Sequence, residues 1–322
     1  MTMKAIVTGA AGFIGSTLVD KLLGEGNEVV AVDNFDDYYA GKMKFLEPHL
    51  SHKDFKLHRI DILDLELLKR SFEGGDIVFH LAAQAGVRFS VANPLKVHNV
   101  NTTGTLNVLI AARDKGIAKV VNSSSSSVYG NATHLPVKED DAPSPVSPYA
   151  VSKLAAEIYC RLFFELYGLP SVSLRYFTVY GPRQRPDMAI RIFTDRALRG
   201  LRPQIFGDGE QTRDFTFVHD AVDAIYRCAH LKNMDGSAMN ICSGRTISVN
   251  KVVSAVLKAT GREDLKPEYM PHQQGDVDHT WGDNAKARKQ LGWEPRTDMN
   301  EALKKFVEWY VENRNSAPAQ RT

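Results

Sequence analysis

The stretch Thr8-Gly-Ala-Ala-Gly-Phe-Ile-Gly15 stands between a short apolar run and a helical pattern near the start of the chain. Glycines at positions 9, 12 and 15 would let the chain turn tightly, approach a pyrophosphate closely and pack a helix on a strand. The N-terminus of that helix would then face the phosphates. The spacing is GxxGxxG, and any tight strand-to-helix turn can use glycine, so both interpretations stay open at this point.

Beyond this stretch, short β-branched runs alternate with helical patterns through the first half of the chain. Strands and helices are predicted in alternation at residues 5–8, 16–23, 28–32, 65–72, 76–80, 103–115 and 119–122. Strands that alternate with helices form βαβ units. The predicted fold class is therefore α/β, with a Rossmann-type doubly wound parallel sheet.

The alternation of predicted strands and helices becomes less regular after about residue 174. Short strands are predicted at 174–177, 204–206 and 238–241, and helices at 188–199 and 249–260. The pattern predicts a dinucleotide-binding domain at residues 1–173, to which some later segments return, and a smaller α/β C-terminal substrate lobe at 174–314. The polar residues 315–322 are predicted to form a disordered tail.

Composition narrows the possible partners. The chain has 322 residues, of which 43% are hydrophobic, enough to bury a substantial core. Lysine and arginine total 40 against 38 aspartates and glutamates, so the net charge offers no broad attraction for nucleic acid or an anionic membrane. Cys160, Cys228 and Cys242 form no CxxC or Cys/His pattern, which predicts no metal site and a reducing cytoplasm. No apolar run reaches about 18 residues, so no membrane-spanning or secretory segment is expected.

An acidic residue ends the second predicted strand. Asp33 lies at the separation of about 20 residues expected of a carboxylate that accepts both ribose hydroxyls of a dinucleotide. An acid there favours NAD over NADP, because its charge would repel a 2′-phosphate. After the third strand, Asp61 and Ile62 could contact the adenine, although Asp61 could equally cap a helix at residues 63–72.

A tyrosine and a lysine stand four residues apart in Tyr149-Ala-Val-Ser-Lys153, downstream of five serines at 123–127. On a helix these positions share one face, so the ammonium can lie near both the phenol and a bound nicotinamide ribose. Its charge and that of a cationic nicotinamide would lower the tyrosine pKa from about 10 toward neutrality, which makes a general base. The motif alone occurs by chance in many helices, and the upstream glycine and serine segments favour the catalytic interpretation.

Eight segments together resemble the extended short-chain dehydrogenases/reductases, in particular their nucleotide-sugar epimerases. They follow the family order over nearly the whole chain: TGAAGFIG (8–15), VDNF (32–35), HLAAQAGVR (80–88), SSSSSVYG (123–130), YAVSK (149–153), RYFTVYGPRQRPDM (175–188), RDFTFVHD (213–220) and LGWEP (291–295). The resemblance implies an NAD-dependent isomerase that epimerises a UDP-sugar at C4. Tyr149 would take the proton of the 4-hydroxyl while a hydride passes from C4 to NAD, giving a 4-keto sugar.

The resemblance also assigns roles to individual residues. Tyr149 is the implied base, Lys153 the nicotinamide-ribose ligand and Ser125 the hydroxyl that binds the sugar, with the neighbouring Ser126 as the alternative. The implied NAD contacts are Gly9, Gly12, Phe13, Ile14, Gly15, Asp33, Asn34, Asp61, Ile62, Leu81, Ala82, Ala83, Gln84, Asn101, Tyr149 and Lys153. The implied substrate contacts are Arg88, Ser125, Ser126, Tyr149, Thr178, Arg185, Gln204, Arg213 and Asp276.

Several of these residues have structural alternatives. Asn101 could contact nicotinamide or substrate, or could brace its own helix. The resemblance places Arg213 against the substrate diphosphate, which suits bidentate guanidinium contacts, but it could instead be a surface partner of Asp214. Gln204 and Asp276 could be ordinary loop residues.

The serine run separates the predicted reaction from others in the family. Related 4,6-dehydratases and uronate decarboxylases usually carry an acid beside the catalytic hydroxyl, where this chain has Ser126 and Ser127. Epimerisation is therefore the simpler prediction. A catalytically silent NAD-sensing protein of the same fold is the alternative from another class, but such proteins typically lose the tyrosine or the lysine.

Residues 177–188, FTVYGPRQRPDM, bear on the identity of the sugar. Together with HLAAQAGVR and residues 33–39, they resemble uronate epimerases more closely than hexose epimerases. Arg185, with Thr178 opposite, could grip a C5 carboxylate, which favours UDP-glucuronate/UDP-galacturonate over UDP-glucose/UDP-galactose or N-acetylated sugars. Arg183-Gln184 departs from the uronate pattern, and Arg185 could form a salt bridge with Asp187, so the hexose alternative stays open.

The resemblance implies a homodimer in which helices at residues 91–115 and 149–167 pair across a two-fold axis. Leu154, Ile158, Leu162 and Leu166 recur on the second helix at a spacing near four. Such a stripe is more often plain core, so the predicted dimer depends mainly on the family likeness.

Overall fold

The fold is described by a computed structural model for residues 2–272 and 278–314. The strands are β1 (Lys4–Thr8), β2 (Glu28–Asp33), β3 (Phe55–Arg59), β4 (Ile77–His80), β5 (Lys119–Ser125), β6 (Ser171–Tyr176), β7 (Thr178–Tyr180), β8 (Gln204–Phe206), β9 (Thr212–Arg213), β10 (Phe215–Phe217), β11 (Ala238–Ile241), β12 (Ile247–Ser248) and β13 (Glu268–Met270). The helices are α1 (Phe13–Gly24), α2 (Leu65–Ser71), α3 (Val87–Ala92), α4 (Pro94–His98), α5 (Gly104–Asp114), α6 (Pro148–Tyr167), α7 (Ala189–Leu198), α8 (Val218–Cys228), α9 (Val249–Ala259), α10 (Ala285–Leu291) and α11 (Met299–Asn313).

Seven strands form one parallel sheet in the order β11-β6-β5-β4-β1-β2-β3. Because β1 lies between β2 and β4, the winding of the chain reverses at β1. Doubly wound sheets bind ligands in the crevice at the carboxyl ends of strands where the order reverses. The predicted Rossmann-type fold is confirmed, and the glycine stretch that follows β1 borders this crevice.

Helices cover both faces of the sheet, and the strand residues alternate between two buried clusters. Ala5 and Val7 of β1 belong to the cluster that includes the apolar side of α1. Ile6, which lies between them in sequence, belongs to the opposite cluster with Val30 and Val32. Successive side chains of a strand point to opposite faces, so continuous apolar strands suit a sheet buried on both sides.

Two later strands return to the main sheet, because β6 pairs with β5 and β11 pairs with β6. The other later strands form the two-stranded pairs β7/β10, β8/β13 and β9/β12. The predicted boundary between residues 173 and 174 lies inside β6. The division into two domains therefore stays a prediction, with that boundary lying within a strand of the central sheet.

Two predictions fall on residues outside the described ranges, namely the substrate contact Asp276 and the tail at 315–322. Among residues 2–272 and 278–314, no helix is both long and apolar enough to cross a bilayer. The same residues contain no group of three or more His, Cys, Asp or Glu side chains that could hold a metal ion.

Candidate active site

One cavity runs from the glycine stretch to Tyr149 and Lys153. It joins the adenosine end of the predicted dinucleotide site to the predicted catalytic residues. Of the residues predicted from the sequence, those that line it are Gly9, Gly12, Phe13, Ile14, Gly15, Asp33, Asn34, Asp61, Ile62, Leu81, Ala82, Ala83, Gln84, Tyr149, Lys153 and Arg185.

The glycine turn requires residues without a side chain. Gly9 has a φ of +69°, and a Cβ there would lie 2.6 Å from the backbone nitrogen of Ala82. A Cβ on Gly15 would overlap the carbonyl oxygen of Gly9. Gly12 is the N-cap of α1 and has no side chain to cap it, so the first-turn N–H groups border the cavity. This cradle fits a pyrophosphate group.

Asp33 lies at the carboxyl end of β2 with its carboxylate almost buried. One oxygen accepts a hydrogen bond from the Ala11 N–H at 3.0 Å, and the other accepts one from the Phe35 N–H at 2.7 Å. Burial raises the pKa of Asp33 above its ordinary value, while these backbone bonds act to lower it. Each carboxylate oxygen can accept a further hydrogen bond, so Asp33 can still receive ribose hydroxyls.

The alternative role of Asp61 as a helix N-cap is wrong. Helix α2 begins at Leu65, two residues after the start that this cap would require, and its N-cap is Asp64, whose carboxylate accepts from the Leu67 N–H at 3.0 Å. Asp61 instead accepts from the Leu63 N–H and from Asn34 Nδ2, each at 2.9 Å. It therefore closes a turn beside the cavity that it lines.

Helix α6 presents the two motif residues to the cavity. The Ser147 hydroxyl caps this helix by accepting from the Ala150 N–H, with Pro148 in the first turn. Tyr149 therefore lies at the start of the helix and Lys153 one turn later. The Lys153 Nζ donates to the Ser123 carbonyl oxygen at 2.7 Å and lies 5.9 Å from the centroid of the Tyr149 ring.

Burial governs the pKa values of both the Tyr149 phenol and the Lys153 ammonium. Burial raises the pKa of Tyr149 above 10, while the nearby Arg185 and a hydrogen bond with Ser125 act to lower it. Burial lowers the pKa of Lys153 to about 8, against the opposing charge of Glu157. Burial is the largest of these effects on Tyr149, and the lowering of its pKa by Lys153 together with a cationic nicotinamide stays a prediction.

The serine run divides between the cavity and the following turn. Ser123 and Ser124 line the cavity, whereas Ser125 ends β5 and donates to the Ser127 hydroxyl at 3.0 Å. Ser126 begins a short 3-10 turn. Ser125 is also close enough to the Tyr149 phenol to act on its pKa.

Arg185 fits both of its sequence interpretations at once. It lines the cavity that contains Tyr149, and it forms a bidentate ion pair with Asp187. The Nε–Oδ1 distance is 3.0 Å and the Nη2–Oδ2 distance is 3.1 Å. The ion pair therefore occupies one edge of the guanidinium.

Six predicted substrate residues do not line this cavity within the described ranges, namely Ser125, Ser126 and four that lie elsewhere in the fold. Arg88 lies over the Phe206 ring, 5.9 Å from its centroid, and Gln204 Nε2 donates to Glu268 at 3.0 Å. Thr178 lies on β7, in register with Phe215 of β10. The fourth is Arg213, whose Nη1 donates to the carbonyl oxygens of Thr212 and Asp278 at 2.9 and 3.0 Å. Their roles stay predictions.

Asn101 does not line the cavity. Its contacts are those of the second role considered for it, in which the side chain braces the structure around its own helix. Its Oδ1 accepts from the Gln84 N–H at 2.7 Å, and its Nδ2 donates to the Gln84 carbonyl at 3.1 Å and to Ser152 at 2.9 Å. The side chain is buried. It therefore holds the Gln84 loop against α6.

Sequence reasoning used residues 33–39 for the family likeness but assigned no cavity contact to residues 35–42, directly after Asn34. Asp36, Tyr38, Tyr39 and Lys42 all line the cavity. The available signal was the pair of tyrosines directly after the strand that carries the ribose-binding acid. Their direction depends on how residues 34–42 fold back over the sheet edge, which no periodic pattern encodes.

A parallel sheet with a glycine turn after β1, an acid after β2 and a Tyr-x-x-x-Lys pair in one cavity defines the extended short-chain dehydrogenases/reductases. The chain belongs to the family described as GDP-mannose 4,6 dehydratase, whose model matches residues 6–306.

Relatives within this family include sugar epimerases of two substrate types. A UDP-glucuronate 4-epimerase of Thermodesulfobacterium geofontis is 41% identical over 96% of each chain. A UDP-glucose 4-epimerase of Mycolicibacterium smegmatis is 40% identical, over 96% of this chain and 98% of the other. The crystal structure of UDP-glucuronic acid 4-epimerase from Bacillus cereus, with UDP-glucuronic acid and NAD, has a TM-score of 0.91 and 35% identity, covering 96% of this chain and 99% of that one.

Proposed function

We propose that this protein is an NAD-dependent isomerase that epimerises UDP-sugars at C4, with UDP-glucuronate and UDP-galacturonate as its substrate pair. The observation that carries the proposal is the single cavity joining the glycine turn and Asp33 to Tyr149, Lys153 and Arg185. Such a cavity would let a bound dinucleotide lie beside a tyrosine that could act as general base and beside a cation. The identities of the relatives support the same reaction.

The residues of the cavity fit NAD. The glycine turn and the first turn of α1 would hold the pyrophosphate, and Asp33 would accept the ribose hydroxyls. Lys153 would bind the nicotinamide ribose from the face of α6 that it shares with Tyr149. When bound, NAD supplies reversible oxidation and reduction at C4 of the sugar.

Tyr149 would accept the proton of the sugar 4-hydroxyl and later return it. Burial opposes ionisation of the phenol, so the groups that favour the phenolate decide whether it can act. These groups are the guanidinium of Arg185 and the hydroxyl of Ser125. Ser125 would also hold the same sugar hydroxyl as the proton moves.

The guanidinium of Arg185 supports a carboxylate-bearing sugar. Asp187 engages only its Nε and Nη2 edge, so the Nη1 and Nη2 edge can bind a second planar oxyanion in a bidentate manner. A C5 carboxylate held in this way would stay coplanar with the ring and would not align for loss of carbon dioxide at the keto stage.

UDP-glucose and UDP-galactose are the second candidate pair. The observation that favours them is the ion pair itself, because Asp187 already balances the charge of Arg185. The relative from Mycolicibacterium smegmatis, a UDP-glucose 4-epimerase, is nearly as similar as the uronate enzyme. The choice between the two substrate pairs therefore depends on whether Arg185 binds a sugar carboxylate or only pairs with Asp187.

Substitution of Arg185 by alanine should slow uronate epimerisation by about tenfold or more, because one charge-assisted contact contributes roughly 1.5–3 kcal/mol. Proton NMR of UDP-glucuronate and UDP-glucose, incubated separately, measures both rates. The matched control is Arg262→Ala, since Arg262 and Asp264 form the same two-residue bidentate pair, at 2.9 and 3.0 Å, outside the cavity. Wild-type protein that converts UDP-glucose readily and ignores UDP-glucuronate would contradict the uronate assignment and leave the epimerase proposal standing.

We also propose a homodimer formed by α5 and α6. An apolar groove between these helices is lined by Leu106, Ile110, Tyr159, Leu162 and Leu166. Leu166 is 67% exposed in the single chain, and a second copy would cover it.

Leu166→Glu should give a monomer in sedimentation equilibrium. Leu50→Glu, at a leucine that is 52% exposed elsewhere, should not change the mass. A wild-type protein that sediments as a monomer would exclude the dimer.

A further inference from the structure

The Asp187 carboxylate connects two distant parts of the cavity wall. It forms the bidentate pair with Arg185, and its Oδ2 also accepts a hydrogen bond from the Tyr38 hydroxyl at 3.2 Å. Tyr38 belongs to the segment after β2, and 149 residues of sequence separate it from Asp187. One carboxylate thus ties the dinucleotide side of the cavity to the arginine on the sugar side.

The geometry of the ion pair determines which edge of Arg185 remains available. A guanidinium carries five N–H donors in one plane, and Asp187 engages the Nε–H and one Nη2–H. Two bonds to one carboxylate prevent rotation of the guanidinium about its own stem. A long arginine side chain without this contact would sample several rotamers. Asp187 therefore sets the direction of the edge formed by Nη1 and Nη2.

Tyr38 is itself held in place from several directions. Its ring packs edge-on against Phe89, with centroids 5.1 Å apart. A Cβ on Gly86 would lie 2.8 Å from the Tyr38 hydroxyl, so the phenol rests closely on a backbone that carries no side chain. Two residues earlier, Asp36 forms an ion pair with Lys96 at 2.8 Å. The hydroxyl that contacts Asp187 is therefore fixed by packing on α3 and by a tether to α4.

We infer that Asp187 is a positioning residue. It holds one edge of the Arg185 guanidinium so that the other edge faces the sugar of the substrate. The Tyr38 hydroxyl in turn holds Asp187. The inference rests on the proposed function, because it assigns the guanidinium to the same sugar-binding site. The negative charge of Asp187 weakens the attraction of the site for an anionic sugar, whereas its hydrogen bonds fix the orientation of the Arg185 guanidinium. Its role should therefore appear in the rate of the chemical step more than in substrate binding.

Asp187→Asn should lower kcat for UDP-glucuronate by about tenfold, the scale expected when a reacting group is misplaced slightly. KM should not rise, since removal of a negative charge leaves the site more attractive to an anion. Tyr38→Phe should act in the same direction by about threefold, because it removes one hydrogen bond and keeps the ring. Steady-state kinetics with each variant give this separation of kcat from KM.

A double-mutant cycle provides the decisive measurement. In an Arg185→Ala background, Asp187→Asn should change kcat by less than about twofold, because no guanidinium remains to be positioned. Two control variants lie outside the cavity: Asp264→Asn breaks the equivalent pair with Arg262, and Tyr310→Phe removes a hydroxyl that donates to Asp195 at 2.8 Å. Both should keep wild-type kinetics, and thermal unfolding confirms that every variant is folded.

Several results would overturn the inference. The positioning role is excluded if Asp187→Asn slows wild type and Arg185→Ala by the same factor, if it raises KM alone, or if it has no effect. If wild type converts only UDP-glucose, the uronate assignment fails and the same cycle is run with UDP-glucose. Coupling between the two substitutions would then still support positioning by Asp187, and independent effects would still exclude it.

Discussion

Tyr149→Phe is expected to slow epimerisation by at least about 10²-fold, the usual scale for loss of general acid/base help. The substitution removes the hydroxyl that exchanges a proton with the sugar and keeps the ring that packs at the start of α6. Binding of NAD should stay nearly intact, because Asp33 and the glycine turn are untouched. Proton NMR measures turnover of the UDP-sugar, and absorbance of an acid extract measures bound NAD.

The control for this variant is Tyr310→Phe, which removes a tyrosine hydroxyl bonded to Asp195 and outside the cavity. It should turn over at the wild-type rate. A near-normal rate for Tyr149→Phe would mean that another group is the base. Loss of both NAD and activity would mean instead that Tyr149 supports the cofactor site. The lower rate would then follow from the lost NAD and would not identify Tyr149 as the base.

Glu157→Ala is expected to reduce the free energy of unfolding by about 3–5 kcal/mol, the range for breaking a buried ion pair at one partner. Glu157 and Arg175 are 7% and 6% exposed, with Nη2–Oε2 at 2.8 Å and Nε–Oε1 at 3.0 Å. The Ser124 hydroxyl also donates to this carboxylate, and Arg175 Nη1 donates to the Tyr129 hydroxyl at 2.8 Å. Alanine would leave the guanidinium buried without its counter-ion.

Urea unfolding of wild type and variant at equal protein concentration measures this difference. Glu165→Ala is the matched control, because Glu165 pairs with Arg161 on the same helix at 3.7 Å but both side chains are more than half exposed. An exposed pair contributes at most about 1 kcal/mol. Equal losses in the two variants would show that the buried network does not hold α6 against β5 and β6.

The network matters for the site because Glu157 lies one turn after Lys153 on α6. It anchors the helix to Ser124 of β5 and Arg175 of β6, next to the strand end that carries Ser125. The sequence showed none of this, since a glutamate and an arginine 18 residues apart carry no local signal.

The sequence by itself determined the features whose chemistry depends on neighbours along the chain. The glycines at 9, 12 and 15 mark a strand-to-helix turn, and Asp33 ends the next strand at the spacing of a dinucleotide site. Tyr149 and Lys153 share a face because they are four residues apart on one helix. The alternation of strands and helices specified a parallel, doubly wound sheet for the same local reason.

Only the tertiary structure decided the features that depend on distant segments and on the direction of side chains. It assigned the cap of α2 to Asp64 rather than Asp61, identified β11 as a later strand that returns to the central sheet, and placed Arg185 in the cavity that contains Tyr149. It also joined Tyr38 to Asp187 across 149 residues of sequence. These contacts arise from the order of strands in the sheet and from the packing of loops at its carboxyl edge, and neither leaves a periodic trace in the sequence.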